Sequence, residues 1–317
     1  MKRKQHNNAY FTRQMRVSLL RICIIGLVAV GFWQCSSPIE LDYSNFQPKL
    51  VINAQVSADG QFVVSVTSST TPVSVEEGDV PDGLKVTLRD ITLGINILLY
   101  RENDLFYAPF QVKPRPGNEY VFKAIAPGYD DVEAITRIPE QLNLLRFEVT
   151  DFQVKPSEVT PLKSNVNYNL ELDFGDQGDA YLHLIFRQRS TIRSGAVGVP
   201  VYEEIMYTIE PEFPEESGYI KHVEQGILIA LSEVESNPLV FSFVDFTIDA
   251  LFEELGNVQV EVRTISPEYY NYFESLSRQL LNSQDPFAEP IQVFSNVDGG
   301  LGNFSSYNVA IYEIGLF

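Results

Sequence analysis

The sequence predicts a mainly β protein: an N-terminal immunoglobulin-like β-sandwich, then a larger β-rich domain with one packed C-terminal helix. Three observations lead there. Short runs alternating apolar and polar residues recur at close spacing from Leu50 to Ile138, divided by Gly, Pro, Asn and Asp turns. Similar runs resume beyond Pro139 with longer connections. One stretch alone changes to a helical period: Tyr269, Phe273, Leu276 and Leu280 follow at spacings of four, three and four, which puts them on one helix face.

Residues 1–34 carry six Lys or Arg and no Asp or Glu, and Ile22 to Trp33 is an uncharged, apolar run. Twelve residues fall short of the ~20 that a membrane span needs, so the segment reads as an export signal. A short single-span anchor is the alternative, since only Arg21 interrupts a longer apolar stretch from Val17. Cys35 follows the apolar core and precedes Ser36-Ser37-Pro38, an order that resembles a bacterial lipoprotein signal. On that resemblance Cys35 is the lipid attachment site and the new N-terminus. Phe32-Trp33-Gln34 replaces the usual Leu-small-small before the cysteine. The other cysteine, Cys23, lies inside the signal, so no disulfide is expected within the processed chain.

Loss of residues 1–34 would move the formal net charge from −19 to −25. Such a surface disfavours nucleic acid, whose phosphates require Lys and Arg, and disfavours adsorption to anionic lipid. The acids are spread along the chain rather than blocked together, which suits ordinary solvation.

Residues 35–48 read as a tether. In the expected sandwich, 49–139, strands are read at Leu50 to Val56, Phe62 to Val66, Leu84 to Leu88, Ile95 to Tyr100, Leu105 to Tyr107, Glu119 to Ala126 and Val132 to Ile138. Turn chemistry separates them, as at Ala58-Asp59-Gly60, Pro81-Asp82-Gly83 and Pro116-Gly117-Asn118. The second expected domain, 140–317, holds strands at Leu142 to Phe152, Tyr168 to Phe174, Tyr181 to Arg187, Ile205 to Ile209, Gly226 to Leu231, Val240 to Phe243 and around Val258 to Val262. Phe246 to Leu255, closed by Gly256, reads as a short helix. Arg189 to Pro200 and Glu210 to Gly218 read as exposed loops. Ser266-Pro267-Glu268 is a helix start, with serine as N-cap and proline at the first position, and the helix is expected over 266–283. A strand from Ile291 to Ser295 then leads into the glycine-rich run Asn296 to Phe304.

Motifs that would carry chemistry are scarce. The sequence has no His-Glu-x-x-His, no Cys-x-x-Cys, no Gly-x-Ser-x-Gly and no phosphate-binding loop. His183 reads as a sheet-face histidine beside Tyr181 and Ile185, and His222 stands in an acidic loop. Asp173, Asp176 and Asp179 interleave with Gly175 and Gly178, but the EF-hand spacing is missing and a polar turn is the better reading. No catalytic residue, metal ligand or cofactor is therefore expected. Paired carboxylates of a glycosidase meet in space rather than in sequence, so a surface hydrolase acting on glycans or peptides stays open as the alternative to a non-enzymatic binding protein.

Several of these stretches together resemble the Bacteroidota lipoproteins grouped as domain of unknown function 4249. They are the Cys35 start, Leu50-Val51-Ile52-Asn53-Ala54, Pro116-Gly117-Asn118-Glu119-Tyr120, Ile265-Ser266-Pro267-Glu268-Tyr269-Tyr270-Asn271-Tyr272, Asp285-Pro286-Phe287-Ala288-Glu289-Pro290 and Ser295 to Phe304. Phe241 to Leu255 is shorter than the family pattern. The resemblance implies an outer-membrane lipoprotein, often encoded near a TonB-dependent transporter, with no settled ligand. The expectation drawn from it is a lipid-anchored, cell-surface accessory or ligand-binding partner of such a transporter in nutrient uptake, holding a small nutrient or capping the transporter's outer face. The resemblance supplies no catalytic residues. A candidate partner surface follows at Tyr270, which a helix would turn away from the core face, and at Asn296, Asp298, Gly299, Gly300 and Gly302, where glycines let a backbone approach a partner. A tight turn between strands is the plainer reading of those glycines.

Overall fold

The computed structural model describes residues 45–317 except 72–73, 75–77, 161, 176–177, 196–198, 213–217, 236, 250, 284, 286 and 317. The expected signal, Cys35 and most of the tether lie outside the described residues, as does Asp176. The chain is mainly β with one α-helix among the described residues.

The first strands are β1 (Leu50–Ser57), β2 (Val63–Ser68), β3 (Lys85–Asp90), β4 (Ile95–Leu98), β5 (Tyr100–Glu102), β6 (Leu105–Tyr107), β7 (Glu119–Ile125) and β8 (Val132–Arg137). Their alternation is real: Leu50, Ile52, Ala54 and Val56 point inward from β1, while Asn53 and Gln55 point out. The next are β9 (Arg146–Pro156), β10 (Lys163–Asp173), β11 (Tyr181–Ser194), β12 (Val201–Ile209), β13 (Ile220–His222), β14 (Ile227–Ala230), β15 (Leu239–Asp249) and β16 (Glu253–Ile265). Helix α1 (Pro267–Asn282) follows, then β17 (Val297–Asp298) and β18 (Leu301–Ile314).

These strands form three sheets. A ten-stranded sheet runs β13-β14-β11-β16-β18-β1-β2-β6-β5, with β12 beside β11; a five-stranded sheet runs β17-β8-β7-β3-β4; a three-stranded sheet runs β15-β10-β9. One core lies between the five-stranded sheet and the β1, β2 and β6 end of the long sheet, where Phe62 meets Tyr120 edge-on at 4.9 Å. A second lies between the three-stranded sheet and β11, β16 and β14, with Phe186 between Phe241 and Phe243.

β18 alters the expected division at residue 139. Its first half pairs parallel with β1, from Val51 opposite Leu301 to Ser57 opposite Tyr307. Its second half pairs antiparallel with β16. Phe304 and Val297 belong to the first core, and Phe304 packs on Phe122 at 5.5 Å. The stretch 297–307 thus completes the N-terminal layers, whereas sequence order alone puts it in the second expected domain, 140–317.

Three local expectations also change. Phe246 to Leu255 is not a helix: β15 runs to Asp249 and β16 starts at Glu253, since Phe246 and Ile248 take strand positions against β10. Arg189 to Ser194 is strand rather than loop, paired with β12 and β16. Ile291 to Ser295 forms no strand, because helix side chains satisfy its backbone: Ile291 N–H donates to Gln279 Oε1 and Phe294 N–H to Ser275 Oγ.

α1 lies on the face of the long sheet opposite both cores. Ser266 caps it as expected, its hydroxyl accepting from Tyr269 N–H, with Pro267 at the first position. The same hydroxyl accepts from Ser306 N–H, so the cap also fastens the helix to β18. Tyr269 is buried, whereas Leu280, expected on the same helix face, is 50% exposed. Among the described residues no helix is long and apolar enough to cross a membrane.

Candidate functional site

The helix-facing side of the sheet carries an extended polar network. His183 on β11 stands opposite Arg263 on β16. The His183 Nε2 proton goes to the Gln225 carbonyl, which leaves Nδ1 to accept from Tyr269 OH at 3.0 Å. Tyr269 OH in turn accepts from Arg263 Nη1 at 3.2 Å. Glu261 joins two guanidiniums, Arg187 at 2.7 Å and Arg263 at 2.6 Å, and Arg263 also lies over the Tyr307 ring. Burial disfavours the Glu261 carboxylate, but those guanidiniums outweigh it and hold its pKa below the usual range. Burial drives His183 down to about 4, and the nearby Arg263 charge adds to this. With both ring nitrogens engaged and its charge suppressed, His183 is a clamp between sheet and helix. It has no free position from which to act as a base.

Next to this clamp, α1 overhangs the sheet and leaves a groove of about 400 Å³. Its floor is set by register. Asn303 on β18 lies beside Asn53 on β1, Asn53 opposite Ser65 on β2, and Ser65 opposite Leu105 on β6. Side chains in one cross-strand row share a face, so the row presents two carboxamides, a hydroxyl and an apolar end. Gln55 extends the floor, and Tyr272, Phe273 and Leu276 of α1 form the wall. Tyr272 and Phe273 meet edge to face at 5.2 Å and 87°. Asn303 is only 2% exposed; its amide donates to Ser305 Oγ at 2.8 Å, but its Oδ1 has no partner among the described residues. No Asp, Glu, His, Lys, Arg or Cys lines this groove among the described residues.

The six residues of the expected partner surface are not gathered on one ligand-facing patch. Tyr270 is corrected: it is 9% exposed and packs on Tyr181 at 4.7 Å, because α1 meets β11 and β14 as well as β18 and buries a wider arc than one stripe. Burial, followed by Glu233 and Glu274, pushes its phenol up to about 12. Asn296 works as a backbone surrogate, donating to the carbonyls of Ile135 and Phe304 and accepting from Phe304 N–H at 2.9 Å. Asp298 is exposed and pairs with Glu133 of β8. Gly299 and Gly302 have φ of 75° and 106°, and a Cβ on either would strike backbone of Asp131 or Ile52. Gly300 packs against Leu50, Val132 and Val297. The tight-turn role therefore accounts for this run.

Asn53, Ser65 and Asn303 escaped the sequence reading as a site, since cross-strand register brings them together from positions up to 250 residues apart. The available signal was the polar alternation Asn53, Gln55 and Asn303, Ser305 on outward positions. The Asp173 turn accepts from Gly175 N–H and Asn237 Nδ2.

Comparison with curated proteins finds no match. The family described as Domain of unknown function (DUF4249) matches residues 36–313, spanning strands β1 to β8, the capped helix and the β17–β18 run alike. This chain belongs to that family.

Proposed function

We propose that this chain is a non-enzymatic, lipid-anchored protein of the outer membrane that binds a small nutrient and works beside a TonB-dependent transporter. The observation that carries the binding role is the groove under α1, with a buried and unmatched Asn303 oxygen at its floor. A recess of this size with a few convergent polar groups is the usual form of a ligand site. Its lining of amides, a serine hydroxyl and aromatic rings, without a carboxylate or imidazole among the described residues, supports binding rather than hydrolysis. The anchor rests on the basic, apolar, Cys35 order, and the transporter on the resemblance already described.

The test is a pull-down from detergent-solubilised outer membranes with the lipidated protein as bait. A TonB-dependent transporter is the expected co-purifying partner, and Cys35→Ala is expected to shift the chain from the membrane to the soluble fraction. Recovery of no transporter, under conditions that keep other membrane complexes intact, overturns the partnership. Fractionation of the variant like wild type overturns the lipid anchor in favour of a signal anchor. Turnover of glycans or peptides by the purified chain would restore the hydrolase alternative.

A further inference from the structure

Building on the reading of the α1 groove as a ligand site, we propose that its ligand is a neutral oligosaccharide. Four features select that chemistry. The floor is a row of uncharged hydrogen-bonding groups, Asn303, Asn53 and Ser65, on adjacent strands. Neighbouring strands lie about 4.8 Å apart, so these groups are spread over about 10 Å and suit hydroxyls on successive sugar rings. The wall is aromatic: the Tyr272 and Phe273 rings offer surfaces to the C–H face of a pyranose, whose other edges carry hydroxyls.

Charge gives the third feature. The whole chain is strongly acidic at −19, yet the groove is lined by no ionised side chain among the described residues. An anionic ligand would meet no counter-charge there, and a cationic one no carboxylate. The fourth is Asn303 itself. A buried carboxamide oxygen without a donor is unfavourable, and a rotation of the Asn303 side chain that turns it toward the groove would let a ligand hydroxyl supply the missing hydrogen bond.

An extended peptide suits the groove less well. Peptides that recognise sheets add to a free strand edge. Here β1 is paired on both sides by β18 and β2, and β2 by β1 and β6, so the floor has no open ladder.

The experiment uses the full-length chain purified in detergent. Isothermal titration is run against maltohexaose, cellohexaose, xylohexaose and mannohexaose, with hexagalacturonate as the charged counterpart and a neutral hexapeptide as the peptide arm. At least one neutral hexasaccharide is expected to bind, with no binding of the galacturonate or the peptide. Tyr272→Ala and Asn53→Ala, both at solvent-reached positions, are each expected to weaken binding at least tenfold without moving the thermal unfolding midpoint. Failure of every neutral sugar, preference for the charged sugar or the peptide, or sugar binding that survives both substitutions overturns the proposal. Sugar binding without recovery of a transporter leaves the groove assignment standing and removes only the partnership; the reverse result removes only the sugar.

Discussion

His183 shows how one residue's surroundings set a measurable property. Burial and the Arg263 charge hold its folded pKa at about 4, against an ordinary value near 6.5. Between those values the unfolded chain takes up a proton that the folded chain refuses. The stabilising contribution is thus complete above about pH 6.5 and declines as pH falls toward 4, by about 3 kcal/mol at most. Urea midpoints measured at pH 7 and pH 4.5 are expected to drop further for wild type than for His183→Gln, which cannot titrate there. Equal drops in the two proteins would show that the imidazole is not the group refusing the proton. The sequence placed His183 on a sheet face beside Tyr181 and Ile185. It could not show Tyr269, 86 residues away, closing over the ring.

At the scale of elements, Gly94 in the β3–β4 turn and Gly302 near the start of β18 illustrate two different demands on glycine. Gly94 and Gly302 both have positive φ, 68° and 106°, but an added Cβ at Gly94 meets open space while one at Gly302 enters the Ile52 backbone. Gly94→Ala is expected to cost about 1 kcal/mol from its left-handed backbone alone. Gly302→Ala adds a steric clash to strain and is expected to cost about 3 kcal/mol or more. Chemical denaturation of the two variants checks this, and equal losses would mean that β18 has room to move away from β1. Helix α1 gives the opposite lesson. Its cap, its proline and its starting point were legible from Ser266-Pro267-Glu268, because capping is a local hydrogen-bond matter. Its buried arc was not, since Tyr270 is covered by Tyr181 of a distant strand.

For the whole molecule, β18 is the element that joins the parts. It provides the parallel neighbour of β1 and contributes Phe304 to the N-terminal core. Residues 47–139 expressed alone are therefore expected to lack a cooperative unfolding transition. Without β18 one edge of β1 is left open, and the Phe122 ring loses its aromatic neighbour. A sharp thermal or urea transition from that fragment would establish it as an autonomous domain and make β18 an accessory. The same strand carries Asn303 to the groove floor, so the fold and the candidate site depend on one segment near the C-terminus.

By itself the sequence determined the mainly β character, most strand positions, the capped helix and the family membership. The first three follow from period-2 alternation, turn residues and capping groups, all of which act within a few residues; the family membership rests on the family match over residues 36–313. Only the tertiary structure decided that the last strand completes the first core, that Ile291 to Ser295 is held by helix side chains instead of a strand, and that Asn53, Ser65 and Asn303 stand in one row. Those are matters of pairing and register between distant segments. Local pattern leaves them open, because an alternating strand fits many neighbours equally until packing of both faces selects one.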